Sequence, residues 1–252
     1  MIIKSRGVFL ATMAVCGLSL WGGVTGAEAA MIVTLSNGAS TASITDNLAG
    51  DSNPNSGQIT YVGAVGNFST TITIATSNSP GTSTGAILQM SSIDVRNVSN
   101  SPQTLSITVG DTGFTIPTGA FLGSAYGGTM TNAQIGDSTS FQSFADTSNT
   151  PSGQSGPTVT TTGAQSFVLV TGISPKSFNT ADATAPFVSA GAYSLTNVTL
   201  ITLSPDAQSN VSGTTTVTVS GSGSGVPEPA TAALLAPGVL ALLARRRRAR
   251  VG

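Results

Sequence analysis

The chain has 252 residues, of which only 8% are charged; its net charge is −1, and it contains no histidine and one cysteine. Lacking histidine, it cannot run imidazole acid–base chemistry, Ser-His-Asp or Cys-His nucleophile systems, or histidine-built zinc sites. Between Ala30 and Gly225 only Arg96 and Lys176 stand against eight aspartates, so this part is about six charges negative and has no basic cluster with which to hold nucleic acid.

At the N-terminus, Lys4 and Arg6 precede an apolar run from Val8 to Trp21, followed by Ala27-Glu28-Ala29. This order predicts a secretory signal peptide over residues 1–29, cut by signal peptidase between Ala29 and Ala30. Lipid attachment at Cys16 is disfavoured, because Met13-Ala14-Val15 is a poor match to the small residues wanted before an acylated cysteine and the apolar run continues past it. Removing the leader removes that cysteine. The exported part then has no disulfide and must rest on its hydrophobic core. Its length suits one all-β domain.

From residue 30 to 220 the chain is rich in Ser, Thr, Gly, Asn and Val, and its apolar residues alternate with period 2. Examples are Phe68 to Ile74, Leu105-Ile107-Val109, Tyr193 to Leu203 and Val217-Val219. Such alternation, with β-branched residues throughout, predicts half-buried antiparallel strands. Leu88 and Met90 are out of phase with Ile93 and Val95, which predicts a bulge or tight turn near Ser91-Ser92. Phe167 to Val170 is continuously apolar and reads as a central strand. Ser77-Asn78-Ser79-Pro80, Ser99-Asn100-Ser101-Pro102 and Gly110-Asp111-Thr112-Gly113 read as turns, and Asn149 to Pro157 as a longer loop. The fold class expected is all-β: a single antiparallel β-sandwich, jelly-roll or Ig-like, of about nine to twelve strands.

Gly221 to Gly225 is a flexible Gly/Ser linker. Beyond it come Pro227-Glu228-Pro229, an uncharged run from Ala230 to Ala244, and Arg245, Arg246, Arg247, Arg248 and Arg250. The two prolines fix an extended segment. The apolar run is short for a membrane helix, but the arginines after it act as a stop-transfer signal and place the C-terminus in the cytoplasm. This three-part order over residues 226–252 resembles the PEP-CTERM sorting signal of bacterial surface proteins. The resemblance implies recognition by an exosortase-type membrane enzyme and anchoring in the inner membrane until processing. It covers about a tenth of the chain, and implies an address rather than an activity.

Candidate chemistry is sparse. Asp46, Asp51, Asn53 and Asn55 cluster hard oxygen ligands suited to Ca²⁺. The spacing Asp51-x-Asn53-x-Asn55 begins like an EF-hand loop but has Ser56 and Val62 where the glycine and the bidentate glutamate belong, and turn chemistry is the competing reading. Lys176, beside Ser174 and Ser177, reads as a solvated loop lysine. Tyr193 reads as core, and Tyr126, among Gly123, Gly127 and Gly128, as the tyrosine in an open loop. The expectation is a non-enzymatic, exported structural or matrix-interaction protein, with extracellular polysaccharide as a partner. A calcium-dependent, lectin-like module is the alternative. A carboxylate glycosidase would need two aspartates roughly 5–10 Å apart in a cleft.

Overall fold

A computed structural model describes residues 31–119, 121–171 and 175–219. The expected signal peptide, the expected Gly/Ser linker and the whole of the 226–252 segment lie outside the described residues. The described part contains fourteen strands and no helix. They are β1 (Ile32–Ser36), β2 (Thr41–Thr45), β3 (Gln58–Val65), β4 (Phe68–Ser77), β5 (Gly85–Asn97), β6 (Gln103–Phe114) and β7 (Phe121–Thr131), followed by β8 (Ser138–Asp146), β9 (Val159–Thr161), β10 (Gln165–Val168), β11 (Lys176–Asn179), β12 (Ala183–Pro186), β13 (Tyr193–Leu203) and β14 (Gln208–Thr218).

They form two antiparallel sheets. In the first the order is β10-β8-β13-β6-β1-β2, with β9 also on β8; in the second it is β11-β7-β14-β5-β4-β3, with β12 also on β7. The period-2 pattern explains how they pack. Along β13, Tyr193, Leu195, Ile201 and Leu203 are buried while Leu200 on the other parity is exposed. Leu105, Ile107 and Val109 of β6 and Leu88, Met90, Ile93 and Val95 of β5 join them in one cluster between the sheets. Alternation puts every second side chain on the inner face, and burying those faces against each other is the main driving force for this architecture.

The phase break anticipated near Ser91-Ser92 is present. The β14–β5 register skips between Val211 and Gly213, opposite Ile93 and Met90, and Ser92 has φ +51°. The skip lets Met90 and Ile93 both point inward, which a continuous strand would forbid.

Four expectations are corrected. Tyr126 is not in an open loop but in the middle of β7, 1% exposed. The run Phe167 to Val170 is not a central strand: β10 is the edge of its sheet, and Val168 and Val170 are exposed. Asp111 and Thr112 do not form a turn but lie inside β6. The strands among the described residues also outnumber the nine to twelve expected.

Candidate functional site

The Asp46–Asn55 segment leaves β2 and folds back toward β3. Its polar groups first satisfy the backbone. Asp51 accepts from the amides of Asn47 (3.1 Å), Asn53 (2.8 Å) and Thr60 (3.0 Å). Asn53 Oδ1 accepts from the Asn55 amide at 3.0 Å, and Asn53 Nδ2 donates to Gln58 Oε1 at 3.1 Å. Asp46 Oδ2 accepts from the Gly57 amide at 2.7 Å. Asp and Asn do this readily because their short side chains reach backbone amides two to four residues away. The loop thus joins Asp51, Asn53 and Asn55 in one turn network, and Asp46 is tied to its far end through the Gly57 amide.

Asp46 also borders the sandwich. Its amide donates to the Met31 carbonyl at 3.0 Å, and β1 pairs with both β2 and β6 through Ile32↔Thr45 and Ile32↔Gly110. Continuing both registers by one residue sets Asp46 and Asp111 on either side of Met31, all with inward parity. Two strand spacings separate them, roughly 10 Å between backbones. Asp111 is 2% exposed. Burial raises its pKa; hydrogen bonds from the Ser77 hydroxyl and the Thr112 amide work against that, and the Asp46 charge adds to it. Asp46 Oδ1 is buried and has no hydrogen-bond partner. Asp111 could have been found in the sequence: it extends the inward parity of Leu105, Ile107 and Val109.

Among the described residues the remaining carboxylates are occupied structurally, with one exception. Asp137 Oδ1 accepts from both the amide and the hydroxyl of Ser204 at 2.7 Å. Asp146 accepts from Ser148 Oγ at 2.6 Å and from the Ser148 amide at 2.9 Å. Asp94 takes both its bonds from Gln208 Nε2 at 2.8 Å, and Asp206 pairs with Arg96 at 2.8 Å on the surface. Lys176 opens β11 and is exposed. No three acidic or cysteine side chains among the described residues come together to hold a metal.

The exception is Asp182. It lines a groove of about 200 Å³ on the outer face of the second sheet, together with Phe121, Gly123, Ala125, Thr184 and Thr216. The strand registers explain the groove. Thr184 of β12 and Thr216 of β14 both lie opposite Gly123 of β7, and Phe121 lies opposite Thr218. A glycine between two threonines leaves a trough, and Phe121, 43% exposed, stands at its end. Sequence reasoning missed this groove because its residues come from three strands and the β11–β12 connection, and none is unusual alone.

No protein-family model and no curated protein matches the sequence. Among solved structures, the carbohydrate-binding module TmCBM61, determined with β-1,4-galactotriose, aligns with a TM-score of 0.30 and 8% identity over 57% of this chain and 86% of that one. The enzymatically active domain of bacteriophage CBA120 tailspike protein 4 aligns at 0.26 and 12% identity, over 58% of this chain and 19% of that one.

Proposed function

We propose that this protein is an exported, non-enzymatic interaction protein of the cell surface or extracellular matrix, sorted through its PEP-CTERM-like tail. On this reading a signal peptide (1–29) leads to one sandwich domain (30–220), of jelly-roll or Ig-like winding, a linker (221–225) and the sorting segment (226–252). Extracellular polysaccharide is its partner. The observation that carries the reading is the place of β14. This strand, the last among the described residues, pairs with β5 on one side and β7 on the other, and the chain continues from it toward Pro227-Glu228-Pro229. A domain held by its C-terminus through a central strand loads two full ladders in shear, which suits a tethered display module. The test is the intact mass of protein recovered from cell surface and medium, with and without Glu228→Ala. Loss of both ends near Ala29 and Pro227 in the wild type, with the arginine tail kept in the variant, supports sorting. Arginines surviving equally in both would make the tail a plain anchor and sink the processing reading.

A second reading, calcium-dependent sugar binding, is favoured by the partnerless buried Oδ1 of Asp46 near Asp111. A buried carboxylate oxygen without a donor is costly, and a cation would satisfy it.

A further inference from the structure

The geometry points to the outer groove of the second sheet as the glycan site of this protein, shaped for one ring of a neutral, hydroxyl-rich hexose polymer. The inference rests on the reading of extracellular polysaccharide as partner and gives it a place. A pyranose has an apolar C–H face and a rim of hydroxyls that both donate and accept, and the groove offers a counterpart to each. Its floor is Gly123 and Ala125, so a flat ring can settle onto the backbone of β7. A Cβ at Gly123 would come within 2.9 Å of Thr216 Oγ1, so any larger residue there would take the space the ring needs. Thr184 lies on one side, and Thr214, Thr216 and Thr218 form a row on the other. Threonine brings a methyl and a hydroxyl on the same carbon. It can therefore touch a C–H face and bond a hydroxyl at once. Phe121 supplies an exposed aromatic ring at the end of the trough, and the Asp182 carboxylate can accept from two neighbouring sugar hydroxyls.

Size and charge narrow the ligand. The volume of about 200 Å³ is below the roughly 300 Å³ at which pockets begin to enclose drug-sized molecules. It suits a single ring of a chain that runs on along the threonine row. The lining holds one carboxylate and no Lys or Arg. Uronic-acid or sulfated polymers would therefore meet a like charge with nothing to offset it, and the excess of aspartates on the domain adds to the repulsion.

Affinity electrophoresis of the full chain in detergent, through gels containing dextran, β-galactan or alginate, tests this. Phe121→Ala empties the end wall at an exposed position, and Gly123→Val fills the floor with a residue that strands accept. Thr34→Val, on the outer face of the other sheet, is the control, and the melting temperature of each variant establishes that it is folded. The expected result is retardation of the wild type and the control by at least one neutral polymer and not by alginate, with Phe121→Ala and Gly123→Val bound about tenfold more weakly. Undiminished binding by both groove variants would overturn the groove and leave polysaccharide binding to another surface. Retardation by alginate alone would overturn the ligand class. A wild type retarded by no polymer would remove both the groove and polysaccharide as partner, while the sorting reading stands or falls on the mass measurement.

Discussion

Phe141 of the first sheet rests on the bare backbone of Gly213 in the second: a Cβ built on Gly213 would lie 2.5 Å from Phe141 Cε2 and 2.9 Å from Cδ2. Phe141 is fully buried and stacks on Tyr126 of β7, with ring centroids 5.1 Å apart and planes 8° from parallel. The ring has no room to retreat, so the glycine sets the spacing of the two sheets here. Gly213→Ala is expected to destabilise the protein by about 1–3 kcal/mol through overpacking. Chemical denaturation checks it, and Gly213→Ala combined with Phe141→Leu should recover part of the loss. A neutral single variant would mean that the sheets can part at this point without cost.

The same aromatic contact continues to the side of the sandwich. Tyr126 meets Phe178 of β11 at 5.6 Å, and Phe178 stacks on Phe167 of β10 at 4.5 Å and 7°. β10 and β11 are edge strands of different sheets, so the Phe167–Phe178 stack closes the gap between them. Both rings are only half-buried. Phe178→Ala should therefore cost about 2–3 kcal/mol, below the range for a fully buried phenylalanine. Hydrogen exchange should show β10 and β11 opening before the centre of either sheet. Loss of protection spread evenly over all strands would argue against a local role.

Asp146 makes an acid-side prediction. Burial pushes its pKa up, but hydrogen bonds from Ser148, through hydroxyl and amide, and from Thr158 and Thr150 outweigh that and hold it down at about 2. A lowered folded-state pKa stabilises above the ordinary 3.8, and that stability is lost as pH falls toward 2. Asp146→Asn should cost roughly 1–3 kcal/mol at pH 7, since an amide cannot accept all these bonds as a carboxylate does. Its stability should also fall less steeply than the wild type between pH 4 and 2. Parallel acid-unfolding curves for the two proteins would refute the assignment.

The strand pattern was legible wherever alternation ran on undisturbed, as in β13, and even where it broke, as at Ser91-Ser92. It was least legible where glycine stands inside a strand. Gly123, Gly127 and Gly128 made the surroundings of Tyr126 look like a loop. In β7 these positions are glycine because neighbouring strands come close: a Cβ at Gly128 would lie 2.4 Å from the Asn210 carbonyl oxygen. Phe167 to Val170 misled in the opposite way, because an apolar run at a sheet edge can cover a neighbour such as Phe178 without being enclosed. At the candidate sites, the turn chemistry of Asp51 and Asn53 could be read locally. The nearness of Asp46 to Asp111 could not, because it depends on β1 lying between two strands far apart in sequence.

That nearness yields the most discriminating prediction. Asp111 has a folded-state pKa raised first by burial, so folding favours its neutral form more than the unfolded chain does. With the folded pKa above the unfolded one, stability declines as pH rises from the ordinary 3.8 to the raised value, and stays lower above it. Asp111→Asn removes an ionisable group from this buried position. Without divalent ions it should melt higher than the wild type at pH 7 and show no such decline. Calcium reverses the order if Asp46 and Asp111 are its ligands: a cation bound only by the folded state raises stability by about 2.7 kcal/mol at a hundredfold excess over its Kd. The wild type should then gain melting temperature with Ca²⁺, and Asp46→Asn and Asp111→Asn should each lose that gain, whereas Asp51→Asn should keep it because both Asp51 oxygens serve the turn. An equal response of all four proteins to Ca²⁺ would remove the calcium reading while leaving the pH argument for Asp111 intact, because burial, the net cause of that shift, needs no cation.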